Sequence, residues 1–183
     1  MISLNYTQLK QIFPTGKPVA LLDFVADFNR YRWLHQFENV KDVAAFLANI
    51  GKETNFLMWR EELASGEAYE GRKDLGNTFP GYGKKYKGRG DLQTTGYYNY
   101  LKFTQWYNAN FRDKEDFTKT PERLSEEHQL AFLAAIYFWK QKNISKFASV
   151  GMFRKSVLLV NGGLATYKER KVIYDRAVLV LSK

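Results

Sequence analysis

Cysteine is absent from this chain of 183 residues, and histidine and proline are scarce, with two and four residues. Without cysteine the fold contains neither a disulfide nor a thiolate metal site. Two histidines are also too few to make a zinc site expected. We therefore expect no thiolate metal site and no zinc site in this protein.

Long hydrophobic runs are also missing, because no stretch approaches the roughly 20 apolar residues that a membrane-spanning helix needs. The first residues, MISLNYTQLKQIF, lack the continuous apolar core of a signal peptide. From these two features we expect a chain made in the cytoplasm. Export would then depend on another protein or on lysis.

The chain is rich in apolar residues and in positive charge. Apolar residues make up 45% and aromatic residues 16% of the sequence, a balance typical of a folded domain. Lys and Arg number 28 against 19 Asp and Glu, which gives a formal net charge of +9. This excess favours a polyanionic partner, whether nucleic acid, an anionic membrane or an anionic cell-wall polymer.

Apolar residues recur at helical spacing in most of the chain. The pattern predicts helices over residues 3–13 and 18–34, and a third that Asn39 or Asp42 caps and that ends near Glu53. In the second half it predicts a helix that opens at Ser125, then one over 146–159 and one over 167–181.

Residues 65–100 interrupt this pattern with eight glycines that follow no helical or strand period. A loop of that length in a folded domain is usually functional. The sequence therefore predicts a mainly α-helical fold with a small β or loop element in the middle. We expect residues 1–183 to form one domain, with 1–39 as a helical lead-in to a core over 40–183.

Three glutamates are candidates for acid–base chemistry. Glu53 lies at the expected end of an apolar helix, where apolar surroundings and the helix dipole would disfavour its charged form. Glu61 and Glu62 follow eight and nine positions later, so they share a cleft with Glu53 only if the chain bends near Thr54 and Asn55. Taken without further context, each of these acids is more simply read as an ordinary surface glutamate.

The segment from Gly83 to Tyr100 combines glycines with amides, hydroxyls and tyrosines. Such side chains hold sugar rings, because the rings stack on aromatic faces and hydrogen-bond to amide groups. Basic residues between tyrosines are equally compatible with nucleic acid, and some of the tyrosines could instead belong to the core. The composition of the segment leaves the three interpretations open.

Five blocks, in order, resemble glycoside hydrolase family 19, in particular its small phage and prophage endolysins. They are AAFLANIGKETNF, EELASGEAYEGRKDLGN, YKGRGDLQTTGYYNY, LAAIYFWK and VNGG, and the resemblance runs from about residue 40 to the C-terminus. It implies a lysozyme-like helical fold like that of the family 19 chitinases. It also implies an inverting glycoside hydrolase that uses no cofactor.

The resemblance assigns roles to particular residues of this chain. Glu53 matches the catalytic acid, and Glu62 matches the general base by spacing, with Glu61 as a near rival. The positions that match substrate-binding residues are Gln93, Thr95, Tyr98, Asn99, Asn161 and Arg170, with Asn161 beside the base and Arg170 supporting the acidic centre. Lys52 departs from the family, which usually has histidine there, and would bring a positive charge close to the acid.

The resemblance also implies a substrate, namely the β-1,4-linked glycan strand of bacterial peptidoglycan. We expect a monomeric endolysin that is made in the host bacterial cytoplasm and reaches the cell wall after release by another protein. Its charge would add affinity for anionic wall polymers or outer-membrane lipid, with no specific binding of nucleic acid. The alternatives are a chitinase of the same fold and a non-catalytic wall-binding or virion structural module.

Overall fold

Helices dominate the computed structural model, which describes residues 2–183. In chain order they are α1 Tyr6–Ile12, α2 Pro18–Tyr31, α3 Val40–Glu53, α4 Tyr82–Lys85, α5 Tyr97–Asn110, α6 Arg123–Glu126, α7 His128–Gln141, α8 Ser145–Ala148, α9 Phe153–Asn161 and α10 Tyr167–Leu181. Two 3₁₀ turns, Glu67–Tyr69 and Lys73–Leu75, lie in the glycine-rich region. The predicted mainly α-helical fold is confirmed.

The chain packs as two units. The first combines the N-terminal part up to Trp59 with Phe138–Lys183, and the second is Arg60–Tyr137. The unit boundary falls within the residue range of α7. The expected single catalytic domain over 1–183, with 1–39 as its lead-in, stays a prediction.

Helix α3 is the central helix of the first unit. Every residue from Asp42 to Gly51 is buried, and α10, whose own buried residues include Ile173, Tyr174 and Ala177, packs along it. Asn39 caps its N-terminus as predicted, because its side chain accepts from the backbone N–H groups of Lys41 and Asp42. Such a cap contributes about 1 kcal/mol to helix stability.

Helix α3 ends abruptly at Glu53. The next residues include three consecutive non-glycine residues in the left-handed region, Asn55, Phe56 and Leu57, with φ of 48°, 60° and 68°. Thr54 holds this bend, because its hydroxyl donates to the carbonyl of Ile50 and accepts from the N–H of Leu57. The bend predicted at Thr54 and Asn55 is therefore present, and its left-handed backbone is costly for side chains with a Cβ.

The glycine-rich region of the second unit contains two isolated β-bridges, Glu61 with Arg89 and Arg89 with Thr94. They form the small β element expected in mid-chain. Helix α5 was not predicted, although Tyr100, Phe103 and Tyr107 are buried at helical spacing along it. Its aromatic residues stabilise it through packing rather than through intrinsic helix propensity, with Phe103 stacked on Phe117 at 5.1 Å.

Two predicted helix boundaries were wrong. The helix expected over 146–159 divides into α8 and α9, because the chain turns at Gly151, whose φ is 82°. Ser125 lies inside the short α6, and Glu127 is extended, so the long helix begins at His128 instead. A glycine with positive φ and an extended residue both interrupt helical hydrogen bonding.

Candidate active site

Glu53 is the last residue of α3, and its side chain contacts a buried arginine from α10. Its Oε1 accepts from Nη2 of Arg170 at 2.5 Å, with the two side chains 21% and 2% exposed. Arg170 also donates to Oδ1 of Asn49 at 2.9 Å and to Oγ1 of Thr166 at 3.0 Å. These bonds fix the guanidinium from three sides, and the guanidinium in turn fixes the carboxylate.

This pairing revises the expected surroundings of Glu53. The residue pattern alone predicted an acid among apolar groups, whereas the structure places against it the cation Arg170, which the family resemblance had assigned to the support of the acidic centre. A guanidinium this deeply buried needs a counter-charge, and Glu53 provides it. Lys52, which was expected to bring positive charge to Glu53, forms an ion pair with Glu169.

The second unit holds Glu62 by both of its carboxylate oxygens. Oε1 accepts from the Tyr69 hydroxyl at 2.9 Å, and Oε2 accepts from the Gly88 N–H at 3.1 Å. The backbones of Glu62 and Gly88 are also bonded to each other, N–H to carbonyl, at 2.9 Å. Each oxygen keeps acceptor capacity, because a carboxylate oxygen accepts about two bonds.

Three of the predicted site residues converge on Gly88. A Cβ at Gly88 would lie 2.7 Å from Oε1 of Gln93 and 3.2 Å from both Oε2 of Glu62 and Oγ1 of Thr95. A side chain at position 88 would therefore occupy the space that these oxygens share. Glycine leaves this space open and still supplies the N–H that Glu62 accepts.

Glu61 has different surroundings from Glu62. Its Oε1 lies 3.1 Å from Nε and Nη2 of Arg89 and 3.3 Å from Nζ of Lys87. Arg89 is itself buried, and it also donates to the carbonyl of Lys85. Glu61 therefore neutralises a buried arginine at the β-bridge, a structural role that sequence spacing could not separate from that of a base.

The remaining predicted site residues lie in different places. Tyr98 is 45% exposed, with its ring directly against Gly76. Asn99 is also exposed and donates to the carbonyl of Thr95 at 2.6 Å, close to the Gly88 cluster. Asn161 belongs to the first unit, where it ends α9 and donates to the carbonyl of Gly163.

Sequence reasoning missed two residues of this site. Tyr69 donates to Glu62, and burial together with that hydrogen bond raises the pKa of Tyr69. Asn77 is fully buried, donating to the carbonyl of Tyr69 and accepting from the N–H of Tyr97. Both lie within the block EELASGEAYEGRKDLGN, but nothing in the spacing shows that Tyr69 contacts Glu62 or that Asn77 contacts Tyr97.

Within residues 2–183, no group of three or more His, Asp or Glu side chains is arranged to hold a metal ion. In the same range, no helix has both the length and the apolar character needed to cross a bilayer.

No protein-family model matches the chain. A "Glycosyl hydrolase family 19 domain-containing protein" of Haemophilus influenzae is 34% identical over 121 residues, which are 66% of this chain and 54% of that protein. "Endochitinase CHI" of Arabidopsis thaliana is 31% identical over 133 residues, covering 69% of this chain and 45% of the relative. The chain is a homologue of the family 19 glycoside hydrolases.

The family 19 resemblance inferred from sequence is thus confirmed, and the chain spans about half the length of the curated relatives it matches. Solved structures agree on the fold. A bacterial family 19 chitinase superposes with a TM-score of 0.78 at 20% identity, covering 97% of this chain and 94% of that one. Chitinase C of Streptomyces griseus also superposes with a TM-score of 0.78 at 18% identity. That superposition covers 98% of this chain and 76% of chitinase C. The expected lysozyme-like helical fold of family 19 is therefore present.

Proposed function

We propose that the protein is an inverting glycoside hydrolase that cuts β-1,4 bonds between amino sugars in peptidoglycan. The observation that carries this proposal is the cluster at Gly88, where Glu62, Gln93 and Thr95 direct polar oxygens into one space. A carboxylate held by Tyr69 and Gly88 is fixed in orientation, as a general base must be. The family relationship supports a reaction on a glycan polymer.

In the proposed reaction Glu62 is the general base. It removes a proton from a water that the Thr95 hydroxyl helps to place, and the oxygen attacks the anomeric carbon from the face opposite the leaving group. The attacking oxygen forms one bond as the glycosidic bond breaks, so the configuration inverts. Glu61 is less suited to this role, because Arg89 and Lys87 engage its carboxylate.

Glu53 is the proposed general acid. It gives its proton to the glycosidic oxygen as the bond breaks, so that the leaving sugar departs as a neutral alcohol. Glu53 is a carboxylate in its ion pair with Arg170, so it must take up a proton before this step, and Oε2 is the oxygen that accepts it because Oε1 is bonded to Arg170. Arg170 then stabilises the carboxylate that remains after transfer, which lowers the barrier for the step. Gln93, Tyr98, Asn99 and Asn161 are proposed to bind the sugar chain.

Hydrolysis of chitin is the second candidate, because several of the curated relatives are named endochitinases. The resemblance of the sequence blocks to small phage members favours peptidoglycan and a role as an endolysin. In that role the protein would be made in the host cytoplasm and reach the wall after release by another protein.

Purified protein incubated in parallel with bacterial sacculi and with chitin oligomers tests this proposal. We expect soluble muropeptides from sacculi, and mass spectrometry of their reducing ends identifies the bond that is cut. Glu62→Gln should abolish the release, whereas Glu61→Gln should retain measurable activity if its stability is preserved. If chitin oligomers are cleaved rapidly while the sacculi stay intact, the protein is a chitinase instead. If the folded protein cleaves neither polymer, the remaining interpretation is a non-catalytic wall-binding or virion structural module.

A further inference from the structure

The net positive charge of the chain comes from one of its two units. Residues 60–137 carry 12 Lys and Arg against 12 Asp and Glu, so this part is neutral. The remainder carries 16 against 7, which accounts for the whole net charge of +9. No acidic residue occurs between Glu127 and Glu169, while six Lys and Arg do. The net charge therefore belongs to the first unit, whereas Gly88 and the residues around it belong to the second.

At the centre of this acid-free segment, the turn between α8 and α9 exposes two apolar side chains. Val150 is 67% and Met152 is 52% exposed, whereas Ser149 and Phe153 on either side are buried. The N–H of Met152 donates to the carbonyl of Phe147 at 2.9 Å, and Asn39 donates to the carbonyl of Ser149 at 3.1 Å. The turn is thus held firmly, and Val150 and Met152 project from it without filling the core.

Cationic residues flank these two side chains in sequence. Lys146 precedes the turn, and Arg154 and Lys155 follow it, all three of them exposed. Lys41 reaches the turn from α3, with its Nζ 3.7 Å from the position of a Cβ on Gly151. The acid next to it in sequence, Asp42, is fully buried and accepts from the Trp139 indole N–H. We call the surface formed by Lys41, Lys146, Val150, Met152, Arg154 and Lys155 the cationic turn.

We propose that the cationic turn docks the protein on the surface of an anionic lipid bilayer. Lys and Arg near such a surface are attracted by its negative potential, and exposed apolar side chains add affinity by entering the headgroup boundary. A soluble anionic polymer offers the charge but no apolar phase for Val150 and Met152. The combination of cations and exposed apolar side chains in one hydrogen-bonded turn favours lipid. This proposal does not depend on the glycosidase activity.

Co-sedimentation of the whole chain with vesicles tests the proposal. Vesicles of phosphatidylcholine alone are compared with vesicles that also contain phosphatidylglycerol, at low and high salt. We expect binding only with phosphatidylglycerol, weakening as salt rises. Lys146→Gln with Lys155→Gln should weaken binding about tenfold or more. The matched control is Lys84→Gln with Lys85→Gln, which removes the same charge from exposed positions of the other unit.

A second pair of variants separates lipid docking from simple charge attraction. Val150→Ser with Met152→Ser keeps every cation and should weaken vesicle binding several-fold, while binding to soluble polyphosphate stays unchanged. The proposal is overturned if this variant binds vesicles as well as the parent, or if the Lys84 and Lys85 control weakens binding as much as the turn variant. Circular dichroism and thermal unfolding confirm that each variant is folded, and all the substituted side chains are exposed.

Discussion

Arg170 and Glu53 form an ion pair of 2.5 Å between the C-terminal end of α3 and the N-terminal part of α10. The adjacent residues Lys52 and Glu169 form a second pair between the same two helices. The two pairs differ in burial, since Arg170 is 2% exposed whereas Lys52 and Glu169 are 34% and 59% exposed. The pair of Arg170 and Glu53 should therefore contribute far more to the stability of the fold than the pair of Lys52 and Glu169.

Removing the inner cation should destabilise the fold. Arg170→Ala leaves Glu53 and Asn49 without their buried partner, so we expect a loss of about 3 kcal/mol in the free energy of unfolding. Lys52→Ala removes the outer cation and should cost less than about 1 kcal/mol, because solvent screens that pair. Urea denaturation measures both. Equal losses in the two variants would show that burial does not distinguish the pairs.

Glu53→Gln should lower the catalytic rate without destabilising the fold. The amide oxygen can still accept from Arg170, so the helix contact is retained, but no proton is available for the leaving group. We expect a fall in kcat of about 10²- to 10⁴-fold. Glu169→Gln is the neighbouring control and should leave kcat nearly unchanged. If Glu53→Gln retained most of its activity on sacculi, the acid would have to be another residue.

Tyr69 should act on the reaction through Glu62. A tyrosine hydroxyl is protonated across the neutral range, and the raised pKa of Tyr69 extends this to higher pH, so the hydroxyl donates to Oε1 throughout. Tyr69→Phe removes that bond and lets the carboxylate rotate, which should lower kcat about tenfold. KM should change little, since no sugar contact is lost. A rise in KM without a change in kcat would instead place Tyr69 in substrate binding.

The Gly88 cluster can be tested by filling its shared space. Gly88→Ala places a methyl 2.7 Å from Oε1 of Gln93, the mobile end of a long side chain, so the fold should adapt at little cost. The displaced amide should nevertheless weaken glycan binding and slow turnover together. Gly163→Ala is the control, because no atom lies within 4 Å of its added methyl. Unchanged kinetics for Gly88→Ala would show that the space is not used by substrate or water.

The sequence identified much of this site, and the reasons for its omissions are physical. Helical periodicity located α3 and α10 and placed Glu53 at a helix end, since apolar spacing is a local signal. The different roles of Glu61 and Glu62 depend on Arg89. Arg89 reaches Glu61 because Arg89 and Glu61 pair in a β-bridge. Tyr69 likewise meets Glu62 through tertiary folding. Contacts of this kind produce no periodic pattern of residues in the sequence, so periodicity cannot predict them.

Tyr100 should make the protein sensitive to alkali. Burial raises the pKa of this fully buried phenol to about 12, and its hydroxyl donates to the carbonyl of Lys87. The folded state thus holds the phenolic proton more tightly than the unfolded chain, whose tyrosines titrate near 10. The stabilisation is complete below pH 10 and is lost as the pH rises towards 12, by roughly 2–3 kcal/mol in total.

Urea denaturation at a series of alkaline pH values measures this loss. In Tyr100→Phe the phenol is absent, so the decline in stability between pH 10 and 12 should be shallower than in the parent. The variant should also be less stable at neutral pH, because the carbonyl of Lys87 and the guanidinium of Arg89 lose a partner. Parallel declines in the two proteins would mean that other tyrosines, among them Tyr86 with its strongly raised pKa, dominate the alkaline transition.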